Sequence, residues 1–140
     1  MASYNRRSFA GFPSLIVEGI CLDSSIQGKG IFREITNQAI NGERAICLRT
    51  QNPRMYKALL NYCQSTFPGL SGMPRQIRTL QEEFAVYLNC NSDSNGVVKG
   101  YYGGLFYGRE PEHCSVSRFF KQDLKMALDK GDAVLAIGIL

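Results

Sequence analysis

The chain has 140 residues, 44% of them hydrophobic and 20% charged, with a net charge of +4, which fits one small globular domain and excludes disorder along its whole length. Its basic residues are scattered, with Arg6-Arg7 the only adjacent pair, so the clustered basic stripe with interleaved aromatics of a nucleic-acid binder is missing. No apolar run of membrane-spanning length and no charged-then-apolar leader is present, so the expectation is a cytoplasmic protein with no membrane partner.

Met1 to Ser14 has a mixed pattern. Leu15 to Leu22 is apolar apart from Glu18 and Gly19, as for a strand buried on both faces. The turn Ser24-Ser25-Ile26-Gln27-Gly28-Lys29-Gly30 follows, and from Ile31 a helical spacing runs through Ile35, Ala39 and Ile40 to a stop at Gly42. Gly28 and Gly30 allow backbone angles closed to other residues, so N–H groups at the start of the helix can converge on one point. The helix dipole and Lys29 add positive charge there, which suits a phosphate or pyrophosphate; the plainer alternative is a strand-to-helix turn that binds nothing. Neither a Walker loop nor a three-glycine dinucleotide fingerprint fits the spacing.

Arg44 to Thr50 reads as a second strand, and Asn52-Pro53 opens a second helix with Asn as cap and Pro in the first position. After a loop at Thr66 to Gly69, the spacing of Ile77, Leu80, Phe84, Tyr87 and Leu88 predicts a helix from Pro74 to about Asn89. Val97 to Gly108 mixes strand-forming residues with four glycines, the pattern of a bent strand or aromatic loop. Val116, Phe119, Phe120, Leu124, Ala127 and Leu128 predict one more helix, capped by Ser115 or Ser117 and stopped at Lys130-Gly131. Ala133 to Leu140 is an apolar run fit for a buried closing strand. The expected architecture is one α/β domain, residues 1–140, with a mixed sheet and flanking helices.

The order strand, Gln27-Gly28-Lys29-Gly30 turn, helix, strand, Asn52-Pro53, helix resembles the GNAT superfamily of acyl-CoA-dependent N-acetyltransferases. Members carry a Gln/Arg-x-x-Gly-x-Gly/Ala loop between the fourth strand and third helix, whose amides bind the pyrophosphate of coenzyme A. Gln27 and Gly30 match that loop, and Phe32 stands at its third marked position. The resemblance covers residues 14–68 as a coenzyme A-binding core, leaving 69–140 as C-terminal helices and strands. It implies acetyl-CoA as cosubstrate, an unidentified amine as acceptor, and no metal. The implied cofactor contacts are Ile20, Leu22, Gln27, Gly28, Lys29, Gly30, Ile31 and Asn52, with pantetheine pairing to backbone around Ile20 to Asp23 where two parallel strands part.

Under the same resemblance, Glu18 is the candidate general base, as the only carboxylate in the central strand, and an outward-facing residue otherwise. Tyr56 or Tyr62 is the candidate acid for the leaving thiolate, and a core tyrosine otherwise. A complete member has three strands and two helices before the strand at Leu15, which the preceding residues cannot supply. The expectation is therefore the C-terminal part of a longer enzyme, with a non-enzymatic coenzyme A-binding remnant or partner subunit as the alternative; a homo-oligomer is left open. The cysteines, Cys21, Cys47, Cys63, Cys90 and Cys114, are odd in number and include no C-x-x-C pair, which predicts reduced thiols. His113 is the only histidine, so no metal-ligand cluster is expected.

Overall fold

A computed structural model describes residues 2–20, 31–70, 72–102 and 116–140. Strands β1 (Ala2–Phe9) and β2 (Phe12–Ile20) form a hairpin, followed by helix α1 (Ile31–Ala39), β3 (Ala45–Thr50), α2 (Pro53–Tyr62) and β4 (Ser65–Phe67). Helix α3 (Arg75–Tyr87), the short strand β5 (Val97–Val98), a single helical turn α4 (Val116–Arg118) and β6 (Ala133–Ile139) complete the described chain. The sheet runs β1-β2-β3-β6-β4, with β5 pairing the other half of the β6 edge that β4 occupies. Only β2 and β3 are parallel; the other pairings are antiparallel. The protein is thus α/β, with an open mixed sheet and helices on both faces.

Alternation along the strands assigns the two faces. Val17, Ile46, Leu48, Val134 and Ala136 point to one side, where Tyr56 and Leu59 of α2 and Phe120, Leu124 and Leu128 of the later segment cover them. Ile16, Ala45, Cys47, Leu135 and Ile137 point to the other, against Ile77, Leu80, Phe84 and Ala85 of α3 and the hairpin aromatics Phe9 and Phe12. Residues on successive positions of β3 and β6 are therefore buried on both sides, which explains their nearly unbroken apolar runs.

Three differences from the expected elements have physical causes. First, β1 lies in the segment of mixed pattern: its Tyr4 packs toward one core and its Phe9 into the other, while Arg6 and Arg7 fall on opposite faces of an edge strand where charge is tolerated. The hairpin turns on Ala10 (φ 52°) and Gly11 (φ 82°), the two positive angles of a twist-matched two-residue loop. Second, β4 is only three residues long, too short for a period to register in the sequence.

Third, the single helix expected to end at Lys130-Gly131 is broken. After α4 the backbone widens into a π turn over Phe119–Asp123, Lys125 takes a positive φ of 55°, and Ala127 is extended before a 3-10 turn at Leu128–Lys130. The break lets Leu124, Met126 and Leu128 all enter the core, which a straight helix would prevent. Gly131, with φ 84°, does end the segment as a left-handed cap.

Candidate functional site

Because β2 and β3 are parallel, their carboxyl ends lie at the same edge of the sheet, and α1 and α2 begin just beyond that edge. Open sheets place ligands there. The ladder pairs Ser14 to Val17 with Ala45 to Leu48 and then stops, although β2 continues to Ile20 and β3 to Thr50. Beyond that rung the two strands no longer bond each other. On the opposite edge of β2, Tyr4 pairs with Val17 and Ser3 with Gly19, so Glu18 is the extra residue of a β-bulge and has no partner on either neighbouring strand.

The bulge presents the exposed Glu18 carboxylate to the α3 face, where the Tyr87 hydroxyl donates to its Oε1. Asn5 Nδ2 donates to the same hydroxyl at 2.9 Å, and the Arg7 guanidinium stands 5.5 Å from the centre of the Tyr87 ring. The hydrogen bond to Glu18 raises the Tyr87 pKa, which keeps the phenol a donor at neutral pH. On β3, Arg49 falls on the same face, one residue past the last rung. Its guanidinium carbon lies over the Tyr101 ring, 5.2 Å from its centre, and its buried Nε has no hydrogen-bond partner among the described residues. In the sequence Arg49 stands only at the end of the second strand, in the segment leading to Asn52-Pro53, and Tyr87 only in the spacing of a helix; nothing there marks either for the site, since their place in it depends on the fold.

Of the residues expected to touch a cofactor, Asn52 is the N-cap of α2: its Oδ1 accepts from the Arg54 N–H at 2.9 Å and its own N–H donates to Thr50 Oγ1 at 2.9 Å. The cap engages only the amide oxygen. Ile20 ends β2 and Ile31 begins α1. Leu22, Gln27, Gly28, Lys29 and Gly30 lie outside the described residues, as do Cys21, His113 and Cys114.

The two tyrosines sit away from Glu18. Tyr56 is buried on the opposite face of the sheet against Phe119 and Phe120, its hydroxyl donates to the Pro68 carbonyl, and burial pushes its pKa up to about 12. Tyr62 is the last residue of α2, roughly 15 Å along the helix from Asn52 at 1.5 Å per residue, and its hydroxyl donates to Asn37 Oδ1 at 2.6 Å. Glu18, Arg49 and Asn52 therefore all lie at or just beyond the carboxyl ends of β2 and β3, and neither tyrosine read from sequence contacts Glu18.

Burial also raises the thiol pKa of Cys47, Cys63 and Cys90, so none of these is held as a thiolate nucleophile. Among the described residues no three His, Cys, Asp or Glu side chains converge as metal ligands, and no helix is long and apolar enough to cross a membrane. Comparison with protein-family models, with curated proteins and with solved structures finds no match.

Proposed function

We propose that this chain is a GNAT-like acyl-CoA N-acetyltransferase that moves an acetyl group from acetyl-CoA to an amine. The observation that carries the reading is the early end of the β2–β3 ladder, with Glu18 bulged at that point. Parted parallel strands expose backbone groups on their inner edges, and the pantetheine arm is an amide chain able to pair with them. In this reading the sequence Gln27-Gly28-Lys29-Gly30 between β2 and α1 would offer the pyrophosphate backbone N–H groups and the charge of Lys29. Asn52 starts α2 at the same edge of the sheet, and because its cap bond uses the side-chain oxygen, its amide nitrogen is the atom this reading assigns to pantetheine.

Acetyl-CoA supplies an activated thioester, so the protein has no covalent intermediate to form. Its tasks are to hold the amine beside the thioester, to take up the proton the nitrogen loses and to polarise the carbonyl. Glu18 accepts that proton, directly or through one water, and the Tyr87 hydroxyl fixes the orientation of the carboxylate. A non-enzymatic coenzyme A-binding module is the second reading, favoured by one observation: the Tyr56 proton is committed to the Pro68 carbonyl and is not directed at a thiolate.

Calorimetry with coenzyme A tests the cofactor site. The expected result is saturable binding that Gly30→Asp weakens, by setting a side chain and a like charge against the pyrophosphate, and that Lys29→Ala weakens less. No heat at millimolar ligand on folded protein reduces the glycines to a turn and ends the reading. Thiol release from acetyl-CoA across an amine panel then separates enzyme from module: binding without turnover assigns the module.

A further inference from the structure

Glu18 and Arg49 occupy equivalent places on adjacent strands, each one residue beyond the last rung of the parallel ladder and each on the α3 face. Opposite charges so placed ordinarily close on each other. Here they make no ion pair: the carboxylate is held by Tyr87 and the guanidinium lies over Tyr101. The aromatic residues thus hold an anion and a cation apart on the two sides of the gap between the strands. The Tyr101 ring offers the guanidinium no acceptor oxygen, and the planar N–H fork of a guanidinium is the geometry a carboxylate matches with two oxygens. The buried Nε of Arg49, without a partner among the described residues, is a donor of that fork.

We propose that Arg49 and Glu18 form a two-point site for an acceptor carrying both a carboxylate and an amine, that is, a free amino acid. The inference rests on the acetyltransferase reading for its chemistry, but its binding prediction stands alone. Arg49 takes the carboxylate through its donor edge, and the amine lies against Glu18 at the mouth of the strand gap. In the reaction the amine nitrogen forms a bond to the acetyl carbon and the C–S bond of acetyl-CoA breaks. The proton lost from nitrogen goes to the Glu18 carboxylate, and the thiolate leaves to be protonated by water. A simple amine would meet Glu18 and leave the Arg49 donor unsatisfied, so the site discriminates through the carboxylate.

The experiment pairs amino acids with their decarboxylated amines, phenylalanine with phenethylamine and methionine with 3-(methylthio)propylamine among them, on the full chain. Binding is followed by side-chain chemical shifts without coenzyme A, and thiol release is followed with acetyl-CoA. The expected result is binding of at least one amino acid over its amine by about tenfold or more, with the shifts of Arg49 and Glu18 moving together. Arg49→Gln should lower amino-acid affinity by about tenfold more than it lowers that of the matched amine, with Arg49→Lys between, because lysine keeps the charge and loses the fork. Thermal melts confirm that the variants fold. Equal binding of acid and amine, equal losses in Arg49→Gln, or no amino-acid binding at millimolar concentration overturns the two-point site. Amino-acid binding with no heat from coenzyme A keeps the site and removes the acetyltransferase reading, so the two failures are distinguishable.

Discussion

Gly96 shows how a single position can tie a helix to the sheet. Its φ is 84°, and a Cβ built there would lie 2.0 Å from Nε2 of Gln81, too close for non-bonded atoms, so the Gln81 amide would have to shift. Gln81 is a buried polar side chain in the middle of α3, and its Nε2 is satisfied by the Leu135 carbonyl at 2.8 Å, while the Leu135 N–H donates to the Gly96 carbonyl at 2.8 Å. Helix, turn and central strand thus share one set of hydrogen bonds. Gly96→Ala adds left-handed strain of about 1–2 kcal/mol and displaces the amide from its acceptor, another 1–3 kcal/mol, so a loss of about 3 kcal/mol is expected in urea unfolding. In a Gln81→Ala background the clash is gone and only the backbone strain of about 1–2 kcal/mol should remain. Equal costs in both backgrounds would show that the amide does not matter.

At the scale of elements, α2 was the most legible in the sequence, because Asn52 and Pro53 act through local backbone chemistry that does not wait for tertiary packing. Helix α3 was legible for a related reason: its buried residues Ile77, Leu80, Phe84 and Ala85 repeat at the helical period. What sequence could not yield depended on partners distant in the chain. Strand β1 is polar on part of both faces and owes its form to pairing with β2, and the helix expected before Gly131 yields to a core that takes Leu124, Met126 and Leu128 together. In the site, Glu18 and Asn52 stood out as unusual residues in their own segments. Tyr87 and Arg49 did not, since a residue 69 positions from Glu18 becomes its hydrogen-bond donor only after α3 packs on the sheet. The glycine turn, the strongest sequence signal, lies outside the described residues. For α2 the cap has a measurable consequence: Asn52→Ala should cost about 1 kcal/mol of stability by freeing the Arg54 N–H. If the amide nitrogen also meets pantetheine, coenzyme A affinity falls with it, and a stability loss with unchanged affinity would remove Asn52 from the cofactor site.

Across the whole molecule, two apolar cores share one sheet, so β3 and β6 cannot leave either core without disturbing the other, and unfolding should be a single cooperative transition. Asp132 stands at the entrance to β6 and joins segments from both sides: its Oδ1 accepts from the Gly100 N–H at 2.9 Å, and its Oδ2 accepts from the Ala127 N–H at 2.9 Å and from Lys99 Nζ at 3.0 Å. Burial alone would raise its pKa. The two backbone N–H groups and the Lys99 ammonium outweigh that and hold it below the ordinary value of 3.8. A carboxyl depressed in the folded state contributes stability that is present in full above about pH 4, the unfolded range, and is lost as pH falls through the lower folded value. Asp132→Asn should therefore cost about 2–3 kcal/mol at neutral pH, the worth of hydrogen bonds to a charged acceptor, and should flatten the acid limb of the stability curve. Lys99 is the minor partner, because its side chain is 62% exposed and an ion pair so wet contributes about 0–1 kcal/mol. Lys99→Met should then lose little and keep the acid limb, as measured by urea midpoints between neutral pH and the acid range. If Lys99→Met flattens the curve as much as Asp132→Asn, the ion pair and not the backbone cradle holds the entrance to β6.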